Sequence, residues 1–237
     1  MAPPLQIGFL VFPSMLQLDF TGPHAVLAAG PETVIHLVWK DALPVTSSDG
    51  LRFTPTVSMA DCRRLDVVCV PGGGGVQALL GDAETLEFLR RQAAGCRYLC
   101  SVCTGALVLG AAGLLRGYRA TTHWQSLDLL PLFGAAPQRR RVVRDGDRIS
   151  AAGVSAGIDM ALTLAGLLWG DVTAQSIQLN MEYAPEPPYT AGGPDSAPEE
   201  VVAAVRASTA SRQAARREAA QAAAALLDTG ANAADPV

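Results

Sequence analysis

Four short apolar runs, most of them stopped by proline, glycine or a tight turn, constrain this chain more than any other feature. Residues 5–12 (LQIGFLVF) run into Pro13, and residues 34–39 (VIHLVW) form a second run. Residues 65–70 (LDVVCV) end on Pro71 and four consecutive glycines, and Tyr98–Val102 stops at Cys103-Thr104-Gly105. Apolar runs of this length, without polar alternation, read as strands buried on both faces, as in a parallel sheet. Helical patterns lie between them. Thr21-Gly22-Pro23 reads as a helix start, with proline near the first helical position. Asp82 opens an amphipathic helix with Leu86, Leu89 and Ala93 on one face and Arg90 and Arg91 opposite. Residues 106–115 form an apolar helix rich in small residues.

The remaining elements are weaker. Residues 51–57 read as an edge strand, because Pro55 lies inside it, and residues 119–122 as a short strand. Asp145-Gly146-Asp147 is a hairpin turn between residues 142–143 and 148–151. Two helices follow, over residues 155–168 and 172–182, then a Pro- and Gly-rich loop over 184–198. Strands alternating with helices predict an α/β fold with a mostly parallel sheet. Residues 1–198 are expected to form one domain. Residues 199–227 are expected to be an Ala-rich helix packed on that domain or on a dimer, with 228–237 a frayed tail.

Composition removes several classes of function. A chain of 237 residues can bury a large core without a disulfide or metal staple. It is 49% hydrophobic, although 40 residues are alanine, so it is not disordered. The net charge of −4 and a single lysine, Lys40, make it a poor tracker of nucleic-acid phosphates. The longest apolar stretch, residues 151–170, is broken by Asp159, so no membrane span is expected. The N-terminus lacks a basic region and a cleavage site, and reads as a first strand rather than a signal peptide. Five cysteines, an odd number without framework spacing, point to free thiols in a reducing, cytoplasmic setting.

In a parallel sheet the working crevice lies beyond the carboxyl ends of the strands. Polar or reactive residues follow strands at 16–19, 72–75 and 103–104. Cys103, in a tight strand-to-helix turn that Gly105 permits, has the placement of a nucleophile elbow. The first amides and dipole of the next helix are expected to favour its thiolate. The plainer reading is a packing cysteine. Cys100 makes a nominal C-x-x-C with Cys103, but positions i and i+3 of a strand face opposite ways. A redox or metal role is therefore not expected, and Cys62, Cys69 and Cys96 read as packing residues.

The glycine run lacks the Lys-Ser/Thr of a phosphate loop and the spacing of a dinucleotide fingerprint. It could bring backbone N–H donors close to a small ligand, or be a tight turn only. Asp19 stands in an otherwise apolar stretch, where a carboxyl beside a thiol could move protons. Its plainer role is a helix cap ahead of Thr21. His123 could be the base of a Cys–His pair or merely cap a helix. Arg206, Arg212, Arg216 and Arg217 of the Ala-rich helix read as a solvated face.

The segments PGGGG, SVCTGALVLGAAGLLRGYRATTHW and LQLDFTGPHAVL resemble the DJ-1/PfpI group of the class I glutamine amidotransferase-like superfamily, over roughly residues 5–200. The combination with QLNMEYAPEPPYTAGGPDSAP is similar to its isonitrile hydratase branch. The resemblance implies a three-layer α/β/α, flavodoxin-like sandwich with a nucleophile elbow. It implies Cys103 as nucleophile, Asp19 as the acidic partner and Thr104 facing the substrate, with Gly73 and Gly74 as backbone donors. His123 is a secondary candidate. The implied reaction turns a small apolar isonitrile and water into a formamide, in a pocket of residues such as Leu16, Phe20 and Val102. No cofactor and no metal are implied, and no nucleic acid or membrane partner; a homodimer is. Alternatives are a glyoxalase-like hydratase or amidase of the same group, or a non-enzymatic sensor such as a regulator. The single Ala-rich helix leaves no room for a paired helix-turn-helix module, which counts against the regulator.

Overall fold

The apolar runs become strands whose order decides which strand ends meet. The computed structural model describes residues 3–232, with side chains through Leu227. Its strands are β1 (Leu5–Leu10), β2 (Thr33–Trp39), β3 (Val45–Thr46), β4 (Arg52–Phe53), β5 (Val57–Ser58) and β6 (Val67–Val70). They continue with β7 (Tyr98–Val102), β8 (Arg119–Ala120), β9 (Ala136–Pro137), β10 (Val142–Asp145) and β11 (Arg148–Ala151). Seven of them form one sheet in the order β10-β11-β7-β6-β1-β2-β5. Every neighbour pair is parallel except β10 with β11, the predicted hairpin. All four residues of β6 are buried, as a central parallel strand requires.

The helices are α1 (Gln17–Leu27), α2 (Val76–Leu79), α3 (Ala83–Ala93), α4 (Gly105–Ala111), α5 (Ala156–Trp169), α6 (Asp171–Asn180) and α7 (Glu199–Asn232). A 3-10 helix spans Trp124–Phe133. They form two groups that cover the sheet: α1, α5 and α6 pack together, while α4 contacts α2, α3, α7 and the 3-10 helix. This is the α/β sandwich with a mostly parallel sheet that the sequence implied. Strand β1 pairs with β2 on one side and β6 on the other, so the order reverses at β1. That switch point brings together the carboxyl ends of β1, β6 and β7.

Several boundaries differ from expectation, each for a physical reason. Helix α1 begins at Gln17, not at Thr21; Leu16 is extended ahead of it and Pro23 lies inside. Pro23 withholds one N–H from the Asp19 carbonyl, and its ring packs on α5, where a Cβ added to Gly157 would lie 3.0 Å from Pro23 Cγ. Residues 51–57 are not one strand: Pro55 divides them into β4, which pairs with β3 outside the main sheet, and β5, its edge. Residues 119–122 shorten to β8, which pairs with β9 rather than the main sheet. Helix α4 ends by Ala111, because Gly113 turns with φ +78°. Helix α7 continues past residue 227 to Asn232; of the expected tail, residues 233–237 lie outside the described residues. Helix α2 and the 3-10 helix are too short or too irregular to show a period.

Candidate active site

The turn after β7 is held in a conformation that a side chain rarely adopts. Cys103 has φ +54°, a left-handed geometry that survives only where surroundings enforce it. The enforcement is visible: the Cys103 amide donates to the Ala151 carbonyl at 3.0 Å, and Thr122 Oγ1 donates to the Cys103 carbonyl at 2.7 Å. Gly105 completes the elbow. A Cβ there would lie 2.1 Å from the Val70 carbonyl oxygen, so α4 could not start this close to β6 with any larger residue.

The glycine run after β6 is the meeting point of the other two segments. A Cβ on Gly72 would lie 2.6 Å from Thr104 N and 2.9 Å from Asp19 Oδ2. The Gly72 amide donates to Asp19 Oδ2 at 2.9 Å, and the Gly73 amide donates to Thr104 Oγ1 at 3.1 Å. Gly72 accepts from the Leu16 amide at 2.9 Å, tying the run to the start of α1. The run thus fixes Asp19 and Thr104 in place. The Gly73 amide, expected to serve a ligand, is occupied by Thr104; the Gly74 amide takes no part in these bonds.

Asp19 stands in the first turn of α1, and it is not a cap: its carboxyl reaches back to Gly72. It is 1% exposed, and its Oδ1 has no hydrogen-bond partner. Burial pushes its pKa up to about 7, against the opposing pull of the Gly72 amide and the Cys103 thiol. Cys103 also departs from expectation. Burial and the Asp19 carboxylate push its thiol well above the ordinary range, outweighing the Thr104 amide and hydroxyl and the Arg216 charge. The helix start alone therefore does not make a resting thiolate. Above about pH 7 the pair rests as thiol and carboxylate, with one proton between them.

His123 does not join this pair. Its Nδ1 accepts from the Gln125 amide at 3.4 Å, capping the 3-10 helix. Burial, then Arg216 and Arg212, pull its pKa down to about 4, which keeps it neutral and makes it a weak base. Cys100 stands opposite Cys69 across β6 and β7, and both are buried. No group of metal-ligating side chains occurs among the described residues.

A groove of about 760 Å³ is lined by Leu18, which precedes Asp19, and Thr122, which bonds the Cys103 carbonyl, with His123, Trp124 and the arginines 139–141. Of the expected apolar lining, Phe20 is 3% exposed and packs against Phe9 and Phe53, so it belongs to the core. Leu18, two residues earlier, takes the place at the groove. The sequence pattern points to the run 72–75 but not to Gly72 as the donor to Asp19, nor to Thr122 and Arg216. For Arg216 a signal existed: it shares the stripe of Ala220, Ala223 and Ala224, all buried, so it is not on the solvated face.

Residues 6–166 match the model of the DJ-1/PfpI family. The isonitrile hydratase of Pseudomonas putida is 61% identical over 198 residues, covering 84% of this chain and 87% of that one. The HTH-type transcriptional regulator GbdR of Pseudomonas aeruginosa is 36% identical over 133 residues, 55% of this chain but 36% of the regulator. The crystal structure of a THiJ/PfpI family protein from Pseudomonas syringae superposes with a TM-score of 0.88 at 42% identity, covering 93% of this chain and 90% of that one. No helix among the described residues is long and apolar enough to cross a membrane.

Proposed function

The chain belongs to the DJ-1/PfpI family, and from that premise we propose that it is an isonitrile hydratase, converting R–N≡C and water to an N-substituted formamide. One observation carries the chemistry: a carboxyl with a pKa of about 7 buried against a thiol on a strained elbow. An isonitrile carbon is a weak base that becomes strongly electrophilic once protonated, so an acid and a nucleophile must meet at one atom. The likeness to the isonitrile hydratase of Pseudomonas putida supports the same reading.

The proposed sequence balances on the one shared proton. The Cys103 proton passes to Asp19. Asp19 delivers it to the isonitrile carbon as sulfur adds to that carbon, giving the thioimidate R–N=CH–S and leaving Asp19 ionised. Asp19 then takes a proton from water as the water oxygen adds to the thioimidate carbon, and passes that proton to nitrogen. The C–S bond breaks as the hydroxyl proton passes by way of Asp19 to sulfur, releasing R–NH–CHO and returning the thiol. Asp19 Oδ1, free of other partners, is the oxygen available for these transfers. Thr104 faces the sulfur, and Gly73 positions it through the Thr104 hydroxyl. The Gly74 amide orients substrate. His123 takes no proton in this sequence.

The test runs an alkyl isonitrile and a glyoxal in parallel, reading formamide in one arm and hydroxyacid in the other. Formamide alone is the expected result. Hydroxyacid without formamide would move the protein to a glyoxalase-like activity. A homodimer in the cytoplasm belongs to the same proposal; light scattering should give twice the 24.6 kDa chain mass.

A further inference from the structure

Helix α7 carries a buried charge that lacks a counter-charge. Arg216 is 4% exposed. Its Nη1 donates to Ser126 Oγ at 3.3 Å and to Gln213 Oε1 at 3.2 Å, both neutral acceptors. Its Nε is buried without a partner. Its neighbour Arg217 pairs with Asp128, but no carboxylate pairs with Arg216 among the described residues. A guanidinium stays charged even when buried, and burying it unpaired is unfavourable. A further alanine in the stripe of Ala220, Ala223 and Ala224 would avoid that cost. The charge is kept where folding alone would not keep it.

The contacts of Arg216 lead to the nucleophile. Ser126, its partner, donates its amide to the His123 carbonyl at 2.8 Å. His123 follows Thr122, whose hydroxyl donates to the Cys103 carbonyl at 2.7 Å. The groups whose charge or hydrogen bonds act on the Cys103 thiol are Asp19 from α1, Thr104 from the elbow and Arg216 from α7. The charge of Arg212, also on α7, acts on His123. The Arg216 field favours the ionised sulfur, whereas Asp19 takes its shift from burial, Gly72 and Cys103.

We infer that Arg216 is the counter-charge of the Cys103 thiolate: a fixed cation on the C-terminal helix that stabilises the anion formed when the thiol passes its proton to Asp19. This deepens the reading above, in which Cys103 is the nucleophile, and makes α7 part of the reactive unit. Arg216 is a positioning residue; it acts on sulfur and not on substrate.

The test is the rate at which iodoacetamide alkylates Cys103, read by mass on the Cys103 peptide from pH 6 to 9, in the wild type, Arg216→Gln and Arg216→Lys. Each unit of thiol pKa changes the thiolate fraction about tenfold, partly offset because a more basic thiolate is more nucleophilic. Arg216→Gln should therefore alkylate about three- to tenfold more slowly, and Arg216→Lys should recover most of the rate. A wild-type rate in Arg216→Gln overturns the inference, and so does an Arg216→Lys as slow as the Gln variant. If Arg216→Gln fails to fold, Arg216→Met replaces it. Formamide production is measured separately on the wild type. Its absence would sink the proposed reaction while leaving the alkylation result intact, and a charge-independent alkylation would sink only the role of Arg216.

Discussion

Two buried pairs lie three residues apart: Cys69 with Cys100 in the middle of the sheet, and Asp19 with Cys103 at its end. Cys100 is fully buried and Cys103 is 6% exposed, so burial scarcely separates them. Both thiols are raised, Cys100 by its hydrogen bond with Cys69 and then by burial, Cys103 by burial and then by the Asp19 carboxylate. What separates them is the backbone and the partner. Cys100 sits in a regular parallel register against another thiol. Cys103 sits past the strand end in a left-handed turn, beside a group that can hold its proton. Burial therefore selects neither cysteine for reaction. The strand end and the proton acceptor do.

The largest expected effect breaks that comparison at its centre. Cys103→Ala should lower formamide production by at least about a thousandfold, since it removes the bond-forming atom. Cys100→Ala should leave turnover within about twofold while costing about 1 to 2 kcal/mol in urea unfolding, from lost packing. A Cys100 variant that folds but loses activity would put the two pairs on the same chemical footing.

Asp19 sharpens it next. The folded carboxyl titrates at about 7, well above the value of 3.8 for an unperturbed one. The raised value means the folded state binds the proton more tightly than the unfolded chain. Stability from this group is therefore complete below about pH 4, falls as pH rises toward 7, and stays low above it. The loss is of the order of 4 kcal/mol at most. Asp19→Asn should abolish most turnover yet melt higher than wild type at pH 8, with the gain gone at pH 4. Kinetically, turnover of the wild type should rise through about pH 7, as the pair sheds its second proton. Equal melting of variant and wild type at both pH values would mean that Asp19 is not held against its ionisation.

The difference between the pairs also marks how far the sequence could be read. The elbow was legible, because Gly105 after a buried run leaves few other geometries, and so was Asp19, because a carboxylate in an apolar stretch needs a reason. The hairpin at Gly146 and the cap of α3 at Asp82, which accepts from the Thr85 amide, were equally local and equally legible. The sign of the thiol shift was not. It depends on how deeply the elbow is buried and on a carboxylate 84 positions away in the chain, and neither is a local property. The role of Gly72 within the glycine run is illegible for the same reason: its neighbours Thr104 and Asp19 are brought to it by the strand order. Arg216 was misplaced because its stripe was read for charge and not for period.

The smallest expected effect concerns His123. His123 has its pKa pulled down to about 4, below the value of 6.5 for an unperturbed one. Its folded form thus resists the proton that the unfolded chain accepts, and stability is lost as pH falls from about 6.5 toward 4. This is opposite in sign to Asp19, which weakens the fold as pH rises. Asparagine can still accept the Gln125 amide and cap the 3-10 helix, so His123→Asn should hold stability at pH 8 within about 0.5 kcal/mol. It should move acid unfolding to lower pH and leave formamide production within about threefold. A larger kinetic loss with an intact cap would bring the imidazole into the proton path and turn the reactive pair into a triad. An unchanged acid midpoint would mean that solvent, not burial and the arginines of α7, sets the charge of His123.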